Sequence, residues 1–141
     1  MPVRTAEAVW NGGLMDGNGR MAVQSEAFAV PFGFGTRFGD EKGTNPEELI
    51  GAAHAGCFSM AFSAALGKAG FEPKKIQTRA KVHLEKAGEG FGIPKIELLM
   101  EAEVPGIDEG TFRQHAEGAK SNCPVSKVLA GAEITLEAKL L

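Results

Sequence analysis

Hydrophobic and polar positions alternate along several stretches of this chain with the period of a half-buried strand. Ile76, Thr78, Ala80, Val82 and Leu84 interleave with Gln77, Arg79, Lys81, His83 and Glu85, which places one set on a core and the other in water. Ala87-Gly88-Glu89-Gly90 turns the chain, and the run from Ile93 to Val104 returns, predicting a hairpin of long strands. A last alternating run, Ile134 to Leu140, predicts a closing strand. Near the start, Ala6, Ala8 and Trp10 alternate with polar neighbours, Met15-Asp16-Gly17-Asn18-Gly19 carries hairpin-turn residues, and Arg20 to Val23 follows. That segment predicts a first hairpin. Pro31 to Asp40 holds a proline, several glycines and Phe32, Phe34 and Phe38. It predicts an irregular aromatic loop, suited to wall an apolar site.

The helical pattern is strongest from Asn45. Asn45 suits an N-cap, Pro46 the first helical position, and Glu47 and Glu48 the first turn, where the helix dipole favours acids. Glu48 also stands at capping-box spacing from Asn45. The helix continues through Cys57 and Leu66 to a stop near Gly70, with Lys68 in its last turn and Pro73 beyond, a length of roughly 35 Å. Ala and Gly on several of its faces predict a central helix buried all round. Asp108 is placed to cap a helix through Thr111, Phe112, His115 and Ala119, and a short helix from Pro124 to Ala130 precedes Gly131. The order is strand pair, long helix, strand pair, two helices, strand, an α+β layout with antiparallel pairing. At 141 residues, with no internal repeat or linker, a single domain over 1–141 is expected.

Fifteen Lys and Arg against 18 Asp and Glu give a net charge of −3, scattered along the chain, so nothing points to nucleic acid as a partner. The first residues lack a signal-like apolar run and no 18 consecutive residues are apolar, so no membrane partner is expected and a cytoplasmic location is. The two cysteines form no Cys-x-x-Cys, which removes a thiol-only zinc site and the thioredoxin motif. His54 lies three residues before Cys57. A mixed Cys/His metal site is conceivable there, but no further His or Cys group has ligand spacing, and no cofactor is expected.

In a reducing compartment a thiol pair is more often catalytic or buried than a permanent disulfide. Cys123, just before Pro124, faces the start of a helix, where unsatisfied amides stabilise a thiolate. Cys57 has Ala53, Gly56 and Ala61 around it and no local charge. A small core residue would look the same. His54 reads equally as a packed histidine. A Cys/His hydrolase would need its imidazole within reach of a sulfur, an orienting group and an oxyanion hole.

The blocks Phe34-Gly35-Thr36-Arg37-Phe38, Gly43-Thr44-Asn45-Pro46-Glu47-Glu48 running on to His54-Ala55-Gly56-Cys57-Phe58-Ser59-Met60-Ala61, Val104-Pro105-Gly106-Ile107-Asp108 and Asn122-Cys123-Pro124-Val125-Ser126 together resemble the OsmC/Ohr family of hydroperoxide peroxidases. The resemblance spans essentially the whole chain. It implies antiparallel sheets packed around a long central helix, in an intertwined homodimer with two sites at the subunit interface. It implies a peroxidase for organic hydroperoxides and hydrogen peroxide, with Cys57 as the peroxidatic thiol, Cys123 as the resolving thiol, Glu47 as the carboxylate that orients an arginine, and a dithiol reductant of dihydrolipoyl type. Arg37 is the arginine chosen, with Arg20 its rival. The resemblance thus reverses the order that the local reading gives the two thiols.

Glu47 and Cys57 lie ten residues apart, about 15 Å along a straight helix. Either the helix breaks between them or Glu47 serves the Cys57 of another subunit. Phe32, Phe34, Phe38, Phe58 and Phe62 fit either an apolar entrance or ordinary core. A noncatalytic redox sensor, or a stress-associated binding protein of the same fold, is the rival function.

Overall fold

The turn residues after Trp10 close a hairpin. In the computed structural model, which describes residues 1–141, β1 (Ala6–Asn11) pairs antiparallel with β2 (Asn18–Val23), Ala6 opposite Val23 and Asn11 opposite Asn18. Gly19 is required there: a Cβ would run into the rings of Trp10 and Phe32, which pack with centroids 5.5 Å apart. The aromatic stretch that follows is not a loop. Its first residues extend a third antiparallel strand, β3 (Ala29–Phe32), and its next form a short helix, α1 (Phe34–Phe38). Pro31 is accommodated because β3 is an edge strand, where a missing N–H is tolerated. These elements lie in the first of two compact units, Met1–Leu49 and Ile50–Leu141. Every residue of β1 is exposed, and so are Val3, Leu14, Met15 and Phe28.

Helix α2 (Pro46–Lys68) starts as its caps predict. Asn45 Oδ1 accepts the Glu48 N–H at 2.8 Å, and the Asn45 amide donates to the Thr36 carbonyl at 2.9 Å. The box is not closed, because the Glu48 carboxylate accepts from the Thr44 hydroxyl instead. At the other end Gly70 takes φ +88, and the Phe71 N–H reaches back to the Leu66 carbonyl at 2.9 Å, a Schellman-type stop. Gly51, His54, Phe58, Phe62 and Leu66 form its buried face. Ala52, Ala53, Gly56, Met60, Ala64 and Gly67 are exposed on the other. The expectation of burial all round is therefore corrected: within one chain, α2 is apolar on both faces and covered on one. By length and a mean hydropathy of 1.5 it could cross a membrane, but Phe58, Phe62 and Leu66 are wholly buried in the protein core.

The second unit builds that core. Strands β4 (Lys75–Ala87) and β5 (Gly90–Glu103) pair antiparallel from Lys75 opposite Glu103 to Ala87 opposite Gly90. Strand β6 (Glu133–Leu140) pairs parallel to β5, Ile96 opposite Ile134. The antiparallel expectation fails here because helices α3 (Glu109–Asn122) and α4 (Pro124–Val128) lie between the two strands. Such a crossover carries the chain back to start again in the same direction. Asp108 caps α3, its carboxylate accepting the Thr111 N–H at 3.0 Å and the Thr111 hydroxyl at 2.7 Å. Phe112, Ala116 and Ala119 of α3 pack with Phe58, Phe62 and Leu66 of α2 and with Ile96, Leu98, Met100 and Ala102 of β5. Phe62 meets Phe112 edge-on at 5.4 Å and stacks on Phe58 at 6.1 Å. Phe58 and Phe62 are thus core, not entrance.

Phe62→Ala is expected to cost about 3–5 kcal/mol, because it opens a cavity between two helices and the sheet. Urea unfolding would show this as a lower midpoint, while Glu72→Gln at an exposed position past α2 should change stability by no more than about 0.5 kcal/mol.

Candidate active site

Cys123 owes its position to Pro124. A residue before proline is driven out of helical backbone, so α3 ends at Asn122 and Cys123 sits at the corner with ψ 123, its N–H still bonded to the Ala119 carbonyl. Its sulfur is fully buried beside the start of α4 and makes no side-chain cap there. Cys57, on α2, is half-buried. The two sulfurs lie 2.8 Å apart with both thiols free, about 0.8 Å more than a disulfide bond.

In that contact the Cys123 thiol donates to the Cys57 sulfur, while the surroundings shift the two acidities in opposite directions. Burial pushes the Cys57 thiol up, the hydrogen bond to Cys123 adds to this, and the Val125 amide pulls weakly the other way. At Cys123 burial also pushes up, but the hydrogen bonds from Cys57, Ser126 and Val125 outweigh it and bring the thiol below its ordinary value. The acidities thus favour the proton on Cys57, against the direction of the contact itself, in which Cys123 donates to Cys57.

Behind Cys123 lies a pair that the sequence reading did not single out as functional. His54 Nε2 is 2.7 Å from Ser126 Oγ, with the imidazole wholly buried and Ser126 nearly so. Nδ1 of His54 has no partner. The ring hydrogen-bonds a hydroxyl and has no orienting acid, so the Cys/His hydrolase arrangement is not formed. Nor do any three His, Cys, Asp or Glu side chains gather as metal ligands. Ser126 was legible as the third residue past Cys123, the spacing at which a helix start folds back on its cap.

A second cluster lies in the first unit. Arg37 of α1 forks onto Glu47 at the start of α2, Nε to Oε1 at 3.0 Å and Nη2 to Oε2 at 2.9 Å. Glu47 is 8% exposed, whereas the Arg37 side chain is 37% exposed and stands 5.4 Å over the Phe38 ring. This bidentate geometry fixes the direction of the guanidinium. Arg20 is engaged elsewhere, donating to the Ala29 carbonyl at 3.1 Å. Phe32 and Phe34 border an open cleft of about 680 Å³ in the same unit. Helix α2 is unbroken from Pro46 to Lys68, so the break weighed between Glu47 and Cys57 does not exist.

The family model described as OsmC-like protein matches residues 39–139. The chain is 53% identical over 138 residues to peroxiredoxin OsmC of Escherichia coli (strain K12), covering 97% of this chain and 96% of that one. It is 31% identical over 138 residues to an organic hydroperoxide resistance protein of Xanthomonas axonopodis pv. citri, covering 94% and 92%. The fold is shared with the crystal structure of an organic hydroperoxide resistance protein from Elizabethkingia anophelis, at a TM-score of 0.77, 24% identity and 99% coverage of both chains.

His54 also leaves a mark on stability. Burial lowers its imidazole below the ordinary 6.5, so as the pH falls below that value the unfolded chain takes up a proton that the folded chain refuses. The contribution is absent above the unfolded value and destabilising below it. Urea midpoints are expected to fall from pH 7 to about pH 5, with a shallower fall in His54→Gln.

Proposed function

Because the chain belongs to the OsmC-like family, we propose that it is a cysteine-based peroxidase for organic hydroperoxides and hydrogen peroxide, recycled by a dithiol. The observation that carries this reading is the sulfur pair, a half-exposed Cys57 held 2.8 Å from a buried Cys123. The names of its relatives support the same substrate class.

Access assigns the order of events. A hydroperoxide can reach Cys57, whereas Cys123 has no exposed surface. Cys57 must then carry negative charge, and its own surroundings oppose that. A cation beside it would draw the charge onto Cys57 and shift the shared proton to Cys123. Arg37, aimed by Glu47, is the cation in this reading, supplied by a second copy of the chain. The Cys57 thiolate attacks the distal oxygen, the O–O bond breaks, and the alkoxide leaves as alcohol on taking up the proton the sulfurs had shared. Cys57 is now a sulfenic acid. Cys123, again anionic, attacks its sulfur: an S–S bond forms, the S–O bond breaks and hydroxide departs. Two successive exchanges with a dithiol, of dihydrolipoyl type, return both thiols and leave the dithiol oxidised.

Two exposed surfaces support the homodimer. The uncovered stripe Ala52, Gly56, Met60 and Ala64 lets another backbone approach closely, and Met60 is 76% exposed. The three-stranded sheet of the first unit presents Val9 and Trp10 to solvent, as its first turn does Leu14, although so small a sheet needs an apolar face covered to be stable. A reducing, cytoplasmic setting suits two free thiols at this distance.

Steady-state turnover of cumene hydroperoxide with dihydrolipoamide tests the reaction. Cys57→Ser is expected to abolish it, Cys123→Ser to react once and stop, and Arg37→Lys to lose about 100-fold in kcat/KM. Wild-type turnover in Cys57→Ser, or a wild type that oxidises once without cycling, would overturn the reading, the second in favour of a redox sensor. Separately, Met60→Glu should convert a dimer to a monomer in light scattering. A monomeric wild type would contradict the shared site.

A further inference from the structure

The proposed reaction needs Arg37 aimed, and the helix that carries it cannot aim it alone. Helix α1 is five residues long, buries no side chain, and is flanked by Gly33 and Gly39 with Gly35 inside. A single helical turn that contains a glycine is unstable in water by itself. The Glu47 fork fixes the far end of the Arg37 side chain. Another contact has to fix the backbone from which that side chain starts.

The contacts that do so converge on Thr36, the residue before Arg37. Its hydroxyl accepts the Gly33 N–H at 3.0 Å and donates to the Gly33 carbonyl at 3.1 Å, which closes the turn. Its methyl lies against Gly43, where φ is +147 and a Cβ would meet that methyl at 2.8 Å. Its carbonyl accepts from the Asn45 side-chain amide at 2.9 Å. The oxygen of the same amide accepts the Glu48 N–H at 2.8 Å and so caps α2. One planar group thus joins α1 to the start of α2. The Asn45–Thr36 bond and the Arg37–Glu47 fork link the same two elements through neighbouring residues, one holding backbone and the other guanidinium. Capping explains only half of this amide. Ser and Asp cap as well as Asn does, but Asp has no donor and the Ser hydroxyl is one bond shorter.

We propose that Asn45 is a positioning residue for the peroxidase reaction: its side-chain amide locks the Arg37 backbone to α2, so that the guanidinium meets the Cys57 of a second copy already directed. This rests on the reading in which Arg37 is the cation that serves Cys57. A cation aimed in advance costs no reorganisation as charge develops, and a displacement of about 1 Å in such a group can lose about 100-fold in rate. Asn45 bonds only backbone groups, so its effect passes through Arg37.

Single-turnover oxidation of the reduced protein by cumene hydroperoxide tests this. Asn45→Ser, which keeps a cap, should hold the urea midpoint near that of wild type while Cys57 is oxidised about ten times more slowly. Asn45→Asp, also a cap, turns a carboxylate oxygen toward the Thr36 carbonyl and should be slowed at least as much. In both, the pH at which Cys57 becomes reactive toward iodoacetamide should rise, as in Arg37→Met. Asn45→Ser added to Arg37→Met should bring no further loss, because the two residues act as one unit. A separate structural role would add its own. The Arg37 Nε–H, bonded to Glu47, should exchange slowly with solvent in wild type and quickly in Asn45→Ser. Wild-type oxidation in Asn45→Ser, a further loss of about ten-fold on top of Arg37→Met, or unchanged Nε–H exchange would overturn the proposal. If Arg37→Met itself is oxidised at the wild-type rate, the reading of Arg37 as the cation fails instead, and the Nε–H exchange still decides whether Asn45 directs it.

Discussion

The contact between Phe62 and Phe112 is the one on which the site's geometry depends, because it locks the rotation of α2 against that of α3. On α2 the buried face runs through His54, Phe58, Phe62 and Leu66 at steps of four, and Cys57 falls one residue off it, half in and half out of solvent. On α3 the buried face runs through Phe112, Ala116 and Ala119, and Cys123, four residues further on, continues it into the interior. Two sulfurs 66 residues apart in sequence therefore meet at 2.8 Å through the phase of two helices. Neither cysteine carries enough packing area to impose this itself. The core sets the distance, and the cysteines occupy it.

Pro124 contributes a second constraint of a different kind. Without it α3 would run on, and the amides of Val125 and Ser126 would be spent on intrahelical carbonyls. By stopping the helix at Asn122, it leaves those donors unspent at the start of α4, beside Cys123. The same corner brings Ser126 within reach of His54, so one covalent restriction provides both the unspent amides and the hydroxyl beside them.

What could be read in the sequence was what short-range physics determines. Asn45 and Asp108 cap helices with the bonds their side chains imply, and the alternation from Ile76 to Glu85 lies within a strand. Alternation does not say which way a partner strand runs, so the expected antiparallel layout did not include the parallel pairing of β6 with β5; the two intervening helices were the available sign of a crossover. Composition could not divide α2 into covered and open faces either, since Ala and Gly suit both. The Arg37–Glu47 fork joins residues ten apart on different elements, so no local pattern announces it, and both Arg37 and its rival Arg20 came from family resemblance. The pairing of Ser126 with His54 has no local signal, because the bond spans 72 residues.

The disagreement between local physics and family resemblance over which thiol acts first dissolves once acidity and access are treated as separate properties. Helix-start amides lower Cys123 and burial raises Cys57, so the local reading ranked acidity correctly. A buried thiolate, however, cannot meet a peroxide in solution. It can meet a sulfur already beside it, and for that step a low proton affinity is the useful property. The exposed thiol has the converse requirement: it must be reachable at rest and become charged only when a cation arrives. In the proposed mechanism the first nucleophile is less acidic than the second, which suits a two-step reaction whose opening step waits for a cation from a second copy of the chain.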